Sequence, residues 1–338
     1  MDPTQIFTDE DVKQEFLDRF TELREHAPTG GLEGLDGGVD VDRAAEVAES
    51  MAEGRYQPGS DRGLEAIIER FSRPVYLVQD STFTVPPDQF PDSEVIGHKL
   101  EGARTVLETT IPSVGRIDVR NHRLDWVGTG WVVGPDLVVT NRHVAAEFAH
   151  RDDGGFAFRR NLDGTTVAAT LDWRHELGRG EESRFGVKEV VWIEPDDSVD
   201  VAVLRIKTEG ENHEPVPPPI ALMTEEEVQT VLPGAWVAVI GYPAFDSRND
   251  VADQQRIFDG HFNVKRLAPG QVTFFGNLPV LHHDATTLGG NSGSVVFDLD
   301  RGKAAALHFG GIQGQRNEAV TAARVARILT DHAGWSGP

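Results

Sequence analysis

The run from Thr287 to Val296, TLGGNSGSVV, sets Ser292 among Gly289, Gly290 and Gly293 and then continues into apolar residues. A hydroxyl is a weak nucleophile at neutral pH. It needs an adjacent base, and the oxyanion formed when it attacks a carbonyl needs hydrogen-bond donors already in place. Glycine has no Cβ, so its backbone can turn N–H groups toward a substrate and let the carbonyl come close. Read as a nucleophile loop, this run makes Ser292 the attacking group and the N–H groups of Gly290 and Ser292 the oxyanion pocket. Two other segments supply the rest. In GTGWVVGPDLVVTNRHVAA, two apolar runs flank a Gly-Pro-Asp turn and His143 follows the second. In EPDDSVDVAVLRI, Asp200 stands at the mouth of an apolar strand, where a carboxylate can be buried and still reach a neighbour. An imidazole held by a carboxylate is the base that such a hydroxyl requires, and acyl transfer is the chemistry the three groups would share.

Short apolar or alternating runs must carry these residues. VYLVQ, WVVG, LVVT, VAVLRI, AWVAVIGYP and AALHFGG, broken by Gly, Pro and Asp, read as the spaced strands of a sandwich or barrel. Before them the pattern is helical. Thr8 can cap a helix whose face holds Val12, Phe16, Phe20 and Leu23, a second helix runs from about Ala44 to Ala52 before Gly54, and a third from about Asp61 to Phe71 carries Leu64, Ile67 and Ile68. A last helix is expected over 319–332, with Val320, Val325 and Ile328 inward. The expected division is a helical extension over 1–73, a connector over 74–105, and a catalytic region over 106–335. Within that region the first barrel covers about 106–210 and the second about 218–320.

At 338 residues and 39% hydrophobic content, the chain can bury a sizeable core without a metal or disulfide staple. It has no cysteine, which excludes thiolate metal sites and a cysteine nucleophile and favours a reducing compartment. The 55 acidic against 32 basic residues, a net charge of −23, argue against nucleic acid as a partner. No apolar run is long enough to span a bilayer, and MDPTQIFTDEDVKQEF lacks a basic stretch followed by an apolar one, so the expectation is a cytoplasmic protein with no membrane partner. The clusters RDDGG and PDDS lack calcium-loop spacing, and no metal or cofactor is expected.

In this order, TNRHV, DVAVL and GNSGS resemble the three motifs of the chymotrypsin-fold serine proteases, nearest the bacterial branch that includes the glutamyl endopeptidases. The resemblance implies a mainly-β double barrel, with His143 as general base and acid, Asp200 orienting it, and Ser292 as nucleophile. It places Thr286 at the base of the P1 pocket, where trypsin-like enzymes keep an aspartate, which argues against cleavage after Arg or Lys. Thr287 and His308 fall where glutamyl enzymes hold an acidic P1 side chain. Phe309 and Gly310, in HFGG, would offer an edge strand to the substrate backbone. The aspartate that receives a new amino terminus in digestive zymogens is here Asn291, so that activating ion pair is missing. His122, His150, His261, His282 and His283 are given no role, and Asp284 is read as a structural hydrogen-bonding residue. The implied function is a serine endopeptidase acting on protein or peptide substrates, an effector in bacterial signalling or defence whose helical extension receives a regulatory protein partner. The alternative is a catalytically silent protease fold used as a binding module.

Overall fold

The structure, a computed structural model, describes residues 6–7, 9–26, 41–57, 62–84, 93–247, 251–275, 279–312 and 316–337. Three amphipathic helices come first: α1 (Glu10–His26), α2 (Val41–Ala52) and α3 (Arg62–Ser72). Helical spacing turns Val12, Phe16 and Phe20 of α1, Ala48 and Met51 of α2, and Leu64, Ile68 and Phe71 of α3 into one interior. Phe16 meets Phe71 edge-on with ring centroids 5.4 Å apart. The Thr8 cap and the Leu23 side chain lie outside the described residues.

The connector expected over 74–105 is instead folded wherever it is described. Strands β1 (Tyr76–Gln79) and β2 (Thr82–Thr84) form a hairpin over Asp80 and Ser81, both in the left-handed region at φ 53° and 63°. Its apolar residues Val75, Tyr76, Leu77, Val78 and Phe83 are buried, which is why the segment docks rather than tethers. Helix α4 (Glu94–Gly102) is capped by Ser93, whose hydroxyl accepts from the Ile96 N–H at 3.3 Å and donates to Glu15 of α1 at 2.6 Å. Helix α5 (Arg104–Thr110) follows.

The first barrel uses β3 (Val114–Arg120), β4 (Trp126–Val132), β5 (Leu137–Thr140), β8 (Ala168–Asp172), β9 (Arg184–Ile193) and β10 (Ala202–Ile206). Helix α6 (Arg142–Phe148) and the hairpin β6 (Ala149–Asp152) and β7 (Gly155–Phe158) sit between β5 and β8. The closed order is β10-β5-β4-β3-β8-β9. After α7 (Glu225–Gln229), the second barrel is built from β11 (Trp236–Gly241), β12 (Arg266–Phe275), β13 (Val280–His283), β14 (Val295–Asp298), β15 (Lys303–Ile312) and β16 (Arg316–Thr321), with α8 (Val251–Phe258) inserted after β11. Its order is β11-β14-β15-β16-β13-β12, closed by β11 on β12, and β1 extends the sheet from β12 through Tyr76↔Leu267. The mainly-β double barrel implied by the resemblance is therefore present.

The terminal helix α9 (Ala322–Ala333) starts later than the 319 expected. Residues up to Thr321 are held in β16 by ladders on both sides, and Val320 lies in that strand opposite Val280 and Leu307. Apolar packing runs without a break from α1–α3 into the second barrel, while the first barrel encloses a separate cluster. At the seam between the barrels Lys265 is fully buried. Its ammonium donates to the carbonyls of Ile111 and Trp173 at 3.0 and 2.6 Å and lies 3.6 Å from Glu176, and burial pulls its pKa down to about 8. No described helix is long and apolar enough to cross a membrane.

Candidate active site

His143 and Asp200 are brought together by neighbouring strands. β5 pairs with β10 in the register Thr140↔Ala202, so the residues just beyond each strand face one another. Asn141 turns the chain into α6, and His143 falls in its first turn. Asp200 then grips it twice: Oδ2 lies 2.6 Å from His143 Nδ1, and Oδ1 accepts the His143 backbone N–H at 3.0 Å. Asn141 Nδ2 donates to the Asp200 carbonyl at 2.9 Å and steadies the loop. With a carboxylate on Nδ1, the ring proton is assigned there and Nε2 is left as an acceptor. The imidazole remains 47% exposed while the Asp200 side chain is 14% exposed. The charge-orienting group is covered and the proton-accepting one is within reach.

Ser292 enters from the second barrel. A Cβ on Gly128 of β4 would meet Val144 Cγ2 of α6 at 2.7 Å and the Ser292 carbonyl at 3.0 Å, so a bare backbone is needed where the helix of His143 and the loop of Ser292 converge. Among the described residues no hydrogen bond joins Ser292 Oγ to His143; such contacts tighten when substrate binds. The loop itself is pinned carbonyl by carbonyl. Leu288 O accepts from Asn291 N at 3.2 Å, Gly289 O from Ala244 N at 2.6 Å, Gly290 O from Thr129 Oγ1 at 2.9 Å, Asn291 O from Ser294 N at 2.9 Å and Ser292 O from Thr129 N at 2.8 Å. A trans peptide points its N–H opposite to its carbonyl. Fixing the Gly289 and Asn291 carbonyls therefore turns the N–H groups of Gly290 and Ser292 the other way, and neither has an acceptor among the described residues. Gly290 and Gly293 hold this shape at φ 87° and 88°. Asn291 is buried and takes the Ser294 hydroxyl at 3.3 Å.

The segment expected to line the P1 pocket is equally tethered. Thr286 is buried and donates its hydroxyl to the Arg73 carbonyl at 2.9 Å, and Thr287 donates to Asn317 Oδ1 at 2.7 Å. Both threonine protons are committed in this state, so a P1 carboxylate held by Thr287 would take the place of its Asn317 contact. His308 differs. Its Nδ1 lies 3.2 Å from His283 Nε2, and burial drives both rings toward the neutral form, His283 down to about 3 and His308 well below the ordinary histidine value. His283 Nδ1 is buried and has no hydrogen-bond partner among the described residues. A bare lone pair there costs less than an orphaned N–H, so the shared proton is assigned to His283 Nε2, and His308 carries its own on Nε2 as a donor. Phe309 sits at a bulge between His308↔Ala319 and Gly310↔Glu318. The β14 ladder ends at Leu307, so from Phe309 through Gly310 the strand is paired on the β16 side alone.

Sequence reading missed His283, Asn317 and Arg73. Strand alternation in VLHHD was the one local signal for His283: in β13 it is buried, whereas His282 is half-buried and lies 3.7 Å from Glu318. Asp284 proves to be the structural residue expected, bonded by its side chain to Arg73 and to the Gln271 N–H. No group of three or more His, Asp or Glu able to hold a metal forms among the described residues.

Residues 128–307, more than half of the chain, match the family described as a trypsin-like peptidase domain. A probable serine protease of Lysobacter enzymogenes is 33% identical over 308 residues, covering 83% of this chain and 78% of that protein. A serine protease of Mycobacterium tuberculosis is 28% identical over 255 residues, covering 73% of this chain and 49% of the relative. The crystal structure of an M. tuberculosis protease in its active form aligns with a TM-score of 0.45 at 22% identity, over 77% of this chain and 93% of that one. A family match across most of the double barrel, joined to a relative that shares a third of its residues over most of both proteins, settles the kinship: the chain belongs to the trypsin-like, chymotrypsin-fold serine proteases and is a serine endopeptidase.

Proposed function

We propose that Ser292, His143 and Asp200 carry the peptide-bond cleavage. Ser292 Oγ attacks the scissile carbonyl carbon as His143 Nε2 takes its proton, and Asp200 stabilises the imidazolium that results. The new oxyanion is received by the N–H groups of Gly290 and Ser292. The proton then passes to the leaving amine, and water attacks the acyl-enzyme by the reverse sequence with His143 again as base. The observation that carries this reading is the two-point grip of Asp200 on His143, at 2.6 and 3.0 Å. The test is incubation of the wild type and a Ser292→Ala twin with denatured casein, with cleaved bonds read by mass spectrometry. Cuts in the wild type alone are expected. Equal cutting by both would remove Ser292 from the role, and no cutting by either would favour the silent binding module.

The same reading gives the enzyme an acidic P1 preference, in the manner of the glutamyl endopeptidase branch. His308 Nε2–H, a donor set by the His283 contact, supports it, and a carboxylate drawn beside that ring would favour the charged imidazolium. Peptides differing only at P1 are expected to rank Glu above Gln, Phe and Lys, and His308→Leu to lower kcat/KM for Glu about tenfold or more. The absence of cysteine supports action in the reducing cytoplasm, which immunodetection in cell fractions checks. The N-terminal helices, packed on the second barrel and reaching Asp284 and Thr286 through Arg73, support regulation by a protein partner bound there, in a signalling or defence role. Pull-down with the full chain, followed by peptidase assay of the captured complex, tests it.

A further inference from the structure

We infer that Arg73 is a positioning residue for the substrate pocket, so that the N-terminal helical region sets P1 selectivity from outside the barrel; this rests on the reading of Thr286, Thr287 and His308 as that pocket. Arg73 follows α3 and precedes Pro74, a position biased away from helix, so its backbone leaves the helix and its side chain turns into the second barrel. Its Nε donates to Asp284 Oδ1 at 2.8 Å. Its Nη2 donates to Asp284 Oδ2 at 2.6 Å and to Gln271 Oε1 at 2.9 Å, and its Nη1 to the Ser72 carbonyl at 2.5 Å. The guanidinium also lies 5.3 Å from the Trp236 ring centroid. The side chains of Arg73 and Asp284 are 0% and 1% exposed, so neither water nor salt competes for the fork.

The main chain of Arg73 holds a second point, because its carbonyl accepts the Thr286 hydroxyl at 2.9 Å. One residue thus grips both Asp284 and Thr286. Between and beyond them, Asn317 bonds the Ala285 carbonyl and the Thr287 hydroxyl, each at 2.7 Å. The pocket segment 284–287 is therefore clamped between Asn317 from within the barrel and Arg73 from the N-terminal region. A group held this way can misplace a bound side chain by an ångström when it slips, enough to cost substantial rate. Among the described residues no hydrogen bond joins a member of the clamp to the Gly290 and Ser292 donors or to the His143–Asp200 pair, so its loss acts on the pocket first.

The experiment compares full-length wild type, Arg73→Lys and the double variant Arg73→Met/Asp284→Leu. Arg73→Lys keeps the charge and loses the fork; the double variant leaves no buried charge unpaired. Each is assayed for kcat and KM on peptides differing only at P1, for labelling by a small fluorophosphonate that reacts with the serine without filling the pocket, and for its melting temperature by circular dichroism. In Arg73→Lys, KM for the preferred P1 peptide should rise about tenfold and the P1 preference narrow, with labelling changed by no more than about twofold. An unchanged P1 profile in either folded variant, or labelling that falls in parallel with cleavage, would overturn the inference. If Arg73→Lys does not fold, the double variant is held to the same criteria. A wild type that is labelled but shows no P1 preference would overturn the pocket reading and this inference with it; one that is neither labelled nor active would overturn the role of Ser292 instead.

Discussion

Two aspartates in this molecule make the same kind of grip for opposite ends. Asp284 holds Arg73 through both carboxylate oxygens in an interior where the two side chains are 0% and 1% exposed. Asp200 holds His143 through both of its oxygens at the mouth of the cleft, where the imidazole is 47% exposed. A sealed ion pair cannot change its charge without stranding its partner in a low dielectric, so it suits a joint that never opens. In the proposed mechanism the His143–Asp200 pair accepts and releases a proton in every turnover, which the 47% exposed imidazole permits. Exposure, more than geometry, separates structural work from chemical work here. Lys265 and Glu176 are as deeply buried at the barrel seam, but at 3.6 Å the pairing is looser and burial pulls the Lys265 pKa down to about 8, so this pair can be discharged by pH.

The same substitution at the two aspartates should separate the roles most sharply. Asp200→Asn is expected to lower kcat by about 10⁴-fold while leaving the melting curve close to that of the wild type, as steady-state kinetics and circular dichroism would show. Asp284→Asn is expected to do the reverse in kind, destabilising the fold by about 3–5 kcal/mol in urea titrations because a buried guanidinium loses its counter-charge. Interchanged outcomes would break the comparison. Lys265 sharpens it through pH. Its pKa of about 8 in the folded protein lies below the ordinary 10.5, so between those values the unfolded chain holds more protons and stability rises with pH. Relative to Lys265→Met, the wild type should gain about 3 kcal/mol from pH 8 to 10.5, measured as the difference between the two denaturation midpoints. The smallest effect belongs to Asp136, which pairs with Arg205 at 2.9 Å with both side chains about a quarter exposed. Asp136→Asn should cost less than about 1 kcal/mol and leave kcat unchanged.

Much of this was legible in the sequence, for reasons that particular residues make plain. Helical spacing located Phe16, Leu64 and Ile68, and turn residues between apolar runs located the strands beside His143, Asp200 and Ser292. The run VYLVQ announced β1, but β2 and the hairpin escaped notice because the turn uses Asp80 and Ser81 at positive φ, and that pair lacks the Asn-Gly or Asp-Gly signature of such turns. The terminal helix was started a few residues early because AVTAARVARIL reads helically from its first residue, whereas two neighbouring strands claim Ala319 to Thr321. Least legible was the Arg73–Asp284 joint. Its partners lie 211 residues apart, and nothing local to either one announces the other.

That separation has a consequence for the order in which the protein is made. At the usual pace of synthesis, about 5–20 residues per second, Arg73 leaves the ribosome roughly 10–40 s before Asp284 exists to receive it. The first barrel, built from strands contiguous in the chain, is complete in that interval, while the earliest helices wait for the latest sheet. The three helices, made before either barrel, are thus among the last elements to be locked, and the segment 284–287 lacks its Asn317 contacts until β16 is in place.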